Sequence, residues 1–304
     1  MSTVLSYCCH CTLICAAALL VCVSSFAPPN CSSSFSSRNQ AIQSTQTLFL
    51  FNFGNSKSRG NAKIPISTSD RDSQAISAIK SAIQNPRNSK LPLIECEFPA
   101  LGALNKLGDG SLRSALEAED ANIAFLKKVV GGIAAFPFMG SKVTVVVGSA
   151  ASNSLMKKVE SVKGAKLVSV REGRPNVGKG EVCVFLTPSS QKDYQAARIL
   201  AKDGCPTVIL NGFAKDRQSI PESATMAYFL KPLTYNSQVA GFLIRSYPSL
   251  WTVLDAQTKQ VLGSFTDEEI LVTNTNTPDL RESGRLVQKS VDERAIRARM
   301  TSMF

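Results

Sequence analysis

Histidine is almost missing from this chain: the only one, His10, lies in a segment expected to be cleaved off. A mature chain without histidine has no Ser-His or Cys-His nucleophile, no His general base and no His metal ligand. Charged residues of either sign are missing from residues 1–37, and acids alone are missing from 38–63. Cysteine is sparse in the body of the chain. Six of the nine fall in the first 31 residues, and Cys96, Cys183 and Cys205 form no C-x-x-C pair. That spacing suggests neither a zinc site nor a disulfide framework, and reads as small buried side chains on strands. No internal repeat is visible, and no apolar run long enough for a membrane span follows residue 66. No cofactor and no metal are expected.

What is present begins with an apolar run of eleven residues, Leu13–Val23 (LICAAALLVCV). It is short for a bilayer span and suits a signal-peptide core, although no Lys or Arg precedes it. Val23 and Ser25 suit cleavage after Ser25. A Ser/Asn/Gln-rich stretch follows, carrying Arg38, Lys57, Arg59 and Lys63 without an acid, which is the composition of a transit peptide. Signal peptide followed by transit peptide resembles the bipartite plastid presequence of algae with secondary red plastids. The junction there typically reads Ala-x-Ala-Phe-Ala-Pro; here it reads Ser24-Ser25-Phe26-Ala27-Pro28. The resemblance implies a signal peptide over 1–25, a transit peptide over 26–66, and delivery to the plastid stroma or thylakoid periphery. Plain secretion is the alternative. The basic, acid-free stretch and the unpaired cysteines of the body weigh against it.

Four units of the net charge of +11 sit in the presequence. The remainder makes the body moderately basic, favouring acidic proteins, anionic lipid or nucleic acid equally.

Downstream, strand and helix patterns alternate. Helical spacing covers 70–85, 110–136, 152–162 and 189–203. The second of these should fray or break at Gly131, Gly132 and Pro137. Apolar runs at 91–98, 142–148, 166–171, 182–187 and 206–210 read as strands, several apolar throughout, as in a parallel sheet buried on both faces. This order predicts βαβ units. After Leu210, runs at 227–233, 240–247, 251–255 and 261–265 have short turns between them, predicting an antiparallel extension of the same sheet. A last helix over 279–300, with Thr277 as N-cap and Pro278 at its first position, is rich in Arg and poor in apolar residues. It reads as a peripheral or partly free arm. The fold class is thus α/β: a mostly parallel sheet with flanking helices, extended by antiparallel strands over 70–265, with a helical extension over 266–304.

Gly173–Gly180 (GRPNVGKG) matches the first seven positions of the phosphate-binding pattern G-x-x-x-x-G-K-[ST]. Gly180 fails the eighth position, which must supply the magnesium-binding hydroxyl, and a strand follows where a helix should open. A plain glycine-rich loop is the better reading. Gly148-Ser149-Ala150-Ala151 leads from a strand into a helix. Its amides are a potential anion site, but an ordinary turn with a Ser N-cap fits better. Glu95 and Glu97 share one face of a strand and suit acid–base work in principle; an exposed edge or solvent face is the commoner cause. Seven basic residues crowd 157–179: Lys157, Lys158, Lys163, Lys166, Arg171, Arg174 and Lys179, against Glu160 and Glu172. They read as a solvated helix face and loops, or as a docking patch for an anionic surface. Aromatics do not interleave with them, so no specific nucleic acid is expected.

The stretches IECEFPAL (94–101), VILNGF (208–213), AYFLKPLTY (227–235) and AGFLIRSYPSLWTVL (240–254) together resemble the plastid and cyanobacterial family called domain of unknown function nineteen-ninety-five. The resemblance spans about 70–265. It implies a role in assembly or maintenance of photosystem II, because the family includes low-photosystem-II-accumulation proteins, and it supplies no catalytic residues. Asn211 matches a frequent Asn after a strand, with Gly212 where Pro often follows, and Trp251 matches the usual aromatic after Tyr-Pro; packing is the simpler account of Trp251. Two functions remain open. One is a peripheral accessory factor binding a thylakoid protein or anionic membrane surface through Lys157, Lys158, Arg171, Arg174 and Lys179, with Asn211 and Trp251 as further binding candidates. The other is an enzyme acting on an anionic small molecule at the carboxyl edge of the sheet.

Overall fold

A computed structural model describes residues 62–84, 91–98, 115–135, 142–178, 180–212, 224–272 and 277–303. The chain divides into two units, Met1–Phe53 and Gly54–Phe304. All described residues belong to the second, and the expected presequence lies almost wholly outside them.

Nine described strands form one sheet: β1 (Leu93–Glu97), β2 (Val143–Val147), β3 (Ala165–Ser169), β4 (Val182–Leu186), β5 (Thr207–Leu210), β6 (Thr225–Tyr235), β7 (Gln238–Ser246), β8 (Trp251–Asp255) and β9 (Val261–Phe265). Their order is β3-β2-β4-β5-β1-β6-β7-β8-β9. Every pair from β3 to β6 is parallel, and β6 through β9 pair antiparallel. The expected architecture is therefore the observed one. β2 (VTVVV) and β4 (VCVFL) are buried along their whole length because helices cover both faces.

Helices α1 (Thr68–Gln84), α2 (Ala115–Ala134) and α3 (Asn153–Glu160) pack on one face, where Ile79, Leu126 and Val159 meet Val145, Val184 and Val208. Helix α4 (Gln191–Lys202) packs on the other, where Tyr194 and Ala197 meet Val146, Phe185 and Ile209. A short helix, α5 (Asp267–Val272), and a long one, α6 (Leu280–Thr301), cover the antiparallel strands on that second face.

Four expectations need correction. Helix α2 runs through Gly131 and Gly132 and ends at Ala134, ahead of Pro137, which lies outside the described residues. A Cβ on Gly132 would lie 2.8 Å from Ile76 Cγ2, so the glycine admits α1 rather than ending α2. Strand β3 ends at Ser169, and Arg171 belongs to a 3-10 turn, Val170–Glu172, capped by the Ser169 hydroxyl. Helix α6 is capped by Asp279, which accepts from Arg281 N, and not by Thr277.

Nor is α6 a free arm. Ser283 and Val287 are buried, and Arg294 reaches Asp255 on β8. The helix reaches the sheet because two strand positions lack side chains. A Cβ on Gly241 would lie 2.4 Å from Val287 Cγ2 and 2.8 Å from the Leu254 carbonyl; one on Gly263 would lie 2.7 Å from Leu286 Cδ1. Few apolar residues suffice where a backbone approaches this closely.

Candidate functional site

Open parallel sheets bind ligands where neighbouring strands send their connections in opposite directions. Here that point lies between β2 and β4. The chain leaves β2 into α3 on one face toward β3, and leaves β4 into α4 on the other face toward β5.

The crevice is already filled by a carboxylate. Asp193, wholly buried in the first turn of α4, accepts from Ser149 N at 2.8 Å with Oδ1, and from Ser190 N at 3.1 Å and Ser189 N at 3.2 Å with Oδ2. Ser190, the N-cap, accepts in turn from Asp193 N at 3.2 Å, completing a capping box. Gly148 makes room, since a Cβ there would lie 2.7 Å from Asp193 Oδ2. Burial pushes the Asp193 carboxyl up, but the bonds from Ser149, Ser189 and Ser190 outweigh it and hold the group below its ordinary value. An anionic ligand would meet a fixed negative charge and amides already occupied. The turn Gly148–Ala151 is thus the ordinary βα turn expected, with Ser152 capping α3 by accepting from Leu155 N at 3.0 Å. Its Ser149 amide serves the chain's own acid. The sequence signal for this was Ser-Gln-Lys-Asp at 190–193, the S-x-x-acid pattern of a capping box.

The glycine-rich loop lies at the other end of α4. With Leu200, Asp203, Gly204 and Cys205, its residues Arg174–Gly178 and Gly180 line an open depression of about 590 Å³. That places it beside the carboxyl end of a helix, where the dipole is negative and Asp203 adds a formal charge. Phosphate loops need the opposite end. Arg174 pairs with Asp203 across the depression. ATP or GTP with magnesium should therefore give no calorimetric binding signal, and Lys179→Ala should change nothing. Micromolar affinity abolished by Lys179→Ala would contradict the reading.

Among the described basic residues of this stretch, Lys158, Arg171 and Arg174 do not share one surface. Lys158 is held by α2, bonding Asp120 at 2.7 Å and Glu119 at 2.9 Å, which raise its pKa. Arg171 donates to the Ser149 carbonyl at 2.6 Å and the Ala151 carbonyl at 2.7 Å, tying down the turn beside the amino end of α4. Arg174 reaches Asp203 at the carboxyl end of the same helix. A twelve-residue helix is about 18 Å long, so the two guanidiniums lie far apart. Lys157 is exposed beside Glu160 and Glu172. Lys179 lies outside the described residues.

Asn211 and Trp251 are joints. Asn211, in the left-handed region at φ 46°, accepts from Phe98 N at 2.9 Å and donates to Asn122 Oδ1 at 2.7 Å, fastening the ends of β5 and β1 to α2. Trp251 is 1% exposed, packs on Phe229, and donates from Nε1 to Asp267 Oδ1 at 3.0 Å, fixing the start of α5. Arg245 holds the other oxygen of Asp267 at 2.6 Å. Glu95 is not on a solvent face: it is 2% exposed, on the central strand of the sheet. Among the described residues no three His, Cys, Asp or Glu side chains gather as a metal would require, and no helix is long and apolar enough to cross a membrane.

The model of one protein family, described as domain of unknown function (DUF1995), matches residues 65–282, well over half of the chain. No curated protein matches the sequence.

Proposed function

The chain belongs to the DUF1995 family, and from that premise we propose that it is a non-catalytic accessory factor of the plastid, peripheral to the thylakoid, serving assembly or maintenance of photosystem II. The observation that carries a binding role over a catalytic one is the filled crevice. Asp193 takes the amides that an anionic substrate would need at the switch between β2 and β4. Three further features support the reading: the bipartite pattern of the first 66 residues, the excess of Lys and Arg over acids in the body, and the resemblance to low-photosystem-II-accumulation proteins. The basic residues of 157–179 contribute to the general field that draws the protein to an anionic membrane; Lys158, Arg171 and Arg174 sit too far apart to act as a single patch.

The test is affinity recovery of the tagged full chain from plastid lysate at low and high salt. Photosystem II subunits should co-purify at low salt and fall about tenfold as salt passes about 0.5 M, where screening shortens to a few ångströms. An absence of thylakoid proteins at low salt, with a phosphorylated metabolite bound to the purified chain, would favour the enzyme instead.

A further inference from the structure

The far end of α6 carries a ridge that no described residue covers. Ile296, Met300 and Met303 are 53%, 61% and 83% exposed. Ile296 and Met300, at i and i+4, form one stripe on α6, and Met303 follows just past the helix's last turn. At 3.6 residues per turn the stripe lies roughly opposite Ser283 and Val287, the residues buried against the sheet. Arg297, which reaches Glu293 one turn earlier at 3.4 Å, and Arg299 are exposed beside it, and Arg285 and Lys289 lie on the same outer side about two to three turns earlier. From Arg294 to Phe304 the sequence holds three arginines and no acid. The base of this segment is fixed, because Arg294 pairs with the buried carboxylate of Asp255 and also bonds Ser290.

We propose that the carboxyl-terminal end of α6 docks on an anionic lipid surface, with Ile296, Met300 and Met303 at the boundary of the acyl chains and Arg297 and Arg299 on headgroup phosphates. The proposal rests on the membrane-peripheral reading above and identifies the surface that does the docking. Chemistry and shape favour lipid over protein. The ridge is convex, and its apolar members are an Ile and two flexible Met residues rather than the Trp or Tyr anchors that dominate protein hot spots. A lipid interface accepts a convex apolar ridge, and arginine stems extend along apolar surface while their charged ends reach the phosphates. Three side chains with a few cations give the modest, reversible attachment of a peripheral protein.

The experiment floats the full chain with vesicles of phosphatidylglycerol in phosphatidylcholine, and with phosphatidylcholine alone. Binding should need phosphatidylglycerol and should fall about tenfold in the doubly substituted Ile296→Glu, Met300→Glu chain. Arg297→Ala with Arg299→Ala should fall less, by several-fold, and chiefly on the anionic vesicles. All these positions are exposed, so the melting temperature should stay unchanged. Amide exchange over 294–303 should slow when the anionic vesicles are added, a readout that the apolar run Leu13–Val23 does not touch. Equal binding to both vesicle types, undiminished binding by the double Glu chain, or unchanged exchange over 294–303 would overturn the proposal. A chain that ignores lipid vesicles yet is held on thylakoids by photosystem II subunits would overturn it too, while leaving the peripheral role intact.

Discussion

Asp193→Ala is expected to cost about 4 kcal/mol, enough to take a domain of ordinary stability to the edge of unfolding. The side chain is wholly buried and satisfies three amides from two different turns, 149 and 189–190, so it clamps β2, β4 and α4 together. Alanine leaves those amides without their acceptor and removes half of a capping box, a loss of about 1 kcal/mol by itself. Asp193→Asn keeps the volume and one acceptor oxygen but turns an NH2 group toward N–H donors, so about 2 kcal/mol is expected. The sign of the pH dependence follows from the lowered pKa. The stabilisation is complete above the unfolded carboxyl value of about 3.9 and is lost as pH falls through the lower folded value. Urea titrations from pH 7 down to about pH 3 should show the native chain weakening at the acid end, with a flatter curve for Asp193→Asn. Because the carboxylate stands where an anion would bind, phosphate should raise the melting temperature of Asp193→Ala more than that of the native chain. A loss under 1 kcal/mol for the alanine chain, with no such difference in phosphate, would mean the crevice does not depend on its internal charge.

Why this clamp escaped the sequence is physical. A capping box is local, and Ser190 with Asp193 advertises it. The contact with Ser149 spans 44 positions and exists only because β2 and β4 are neighbours in the sheet. The parallel strands were legible because burial on both faces leaves no polar alternation, as in VTVVV and VCVFL. The antiparallel strands were legible from their spacing and turns. Helix α5 was less so: six residues, DEEILV, are too few to establish a period, although Thr266 and Glu269 form a capping box at its start, which Trp251 and Arg245 reinforce by gripping Asp267. The basic cluster misled in the opposite way. Residues adjacent in sequence look like one patch, but β3 is five residues long and the chain reverses after it, so Arg171 and Arg174 point to opposite ends of α4. The arginine-rich helix looked free because its docking depends on Gly241 and Gly263, on strands about 20 to 45 positions upstream, and on a carboxylate on β8.

That carboxylate, Asp255, gives the second large effect: Asp255→Ala should cost about 3 kcal/mol and release the outer half of α6 while leaving the parallel sheet in place. Asp255 is fully buried at the end of β8. Its Oδ1 accepts from Gln257 N at 2.8 Å and Thr258 N at 2.9 Å, closing the turn into β9. Its Oδ2 accepts from Ser290 at 2.9 Å and pairs with Arg294, both on α6. Alanine therefore opens a turn and a helix contact at once, and leaves Arg294 without its partner. Arg294→Ala should cost only about 1 kcal/mol, because the Arg294 side chain is 28% exposed and the pair is partly screened. The asymmetry between the two partners is the signature of a buried acid serving several donors, which a simple surface ion pair would lack. Burial pushes the Asp255 carboxyl up, but the Thr258 amide, Arg294, Ser290 and the Gln257 amide bring it down to about 2. With an unfolded value of about 3.9, the contribution is full above about pH 5 and fades as pH falls toward 2. Amide exchange over 288–301 should accelerate in Asp255→Ala at neutral pH, and the protection of these amides relative to their intrinsic exchange rates should fall in the native chain as pH approaches 3, while β2 and β4 stay protected. Equal losses from the two single substitutions would mean that the two residues act as a simple ion pair, whereas an α6 whose exchange ignores Asp255→Ala would show that Val287 in its glycine hollow is sufficient to seat the helix. In that case the exposed stripe at 296–303 would be positioned without the ion pair.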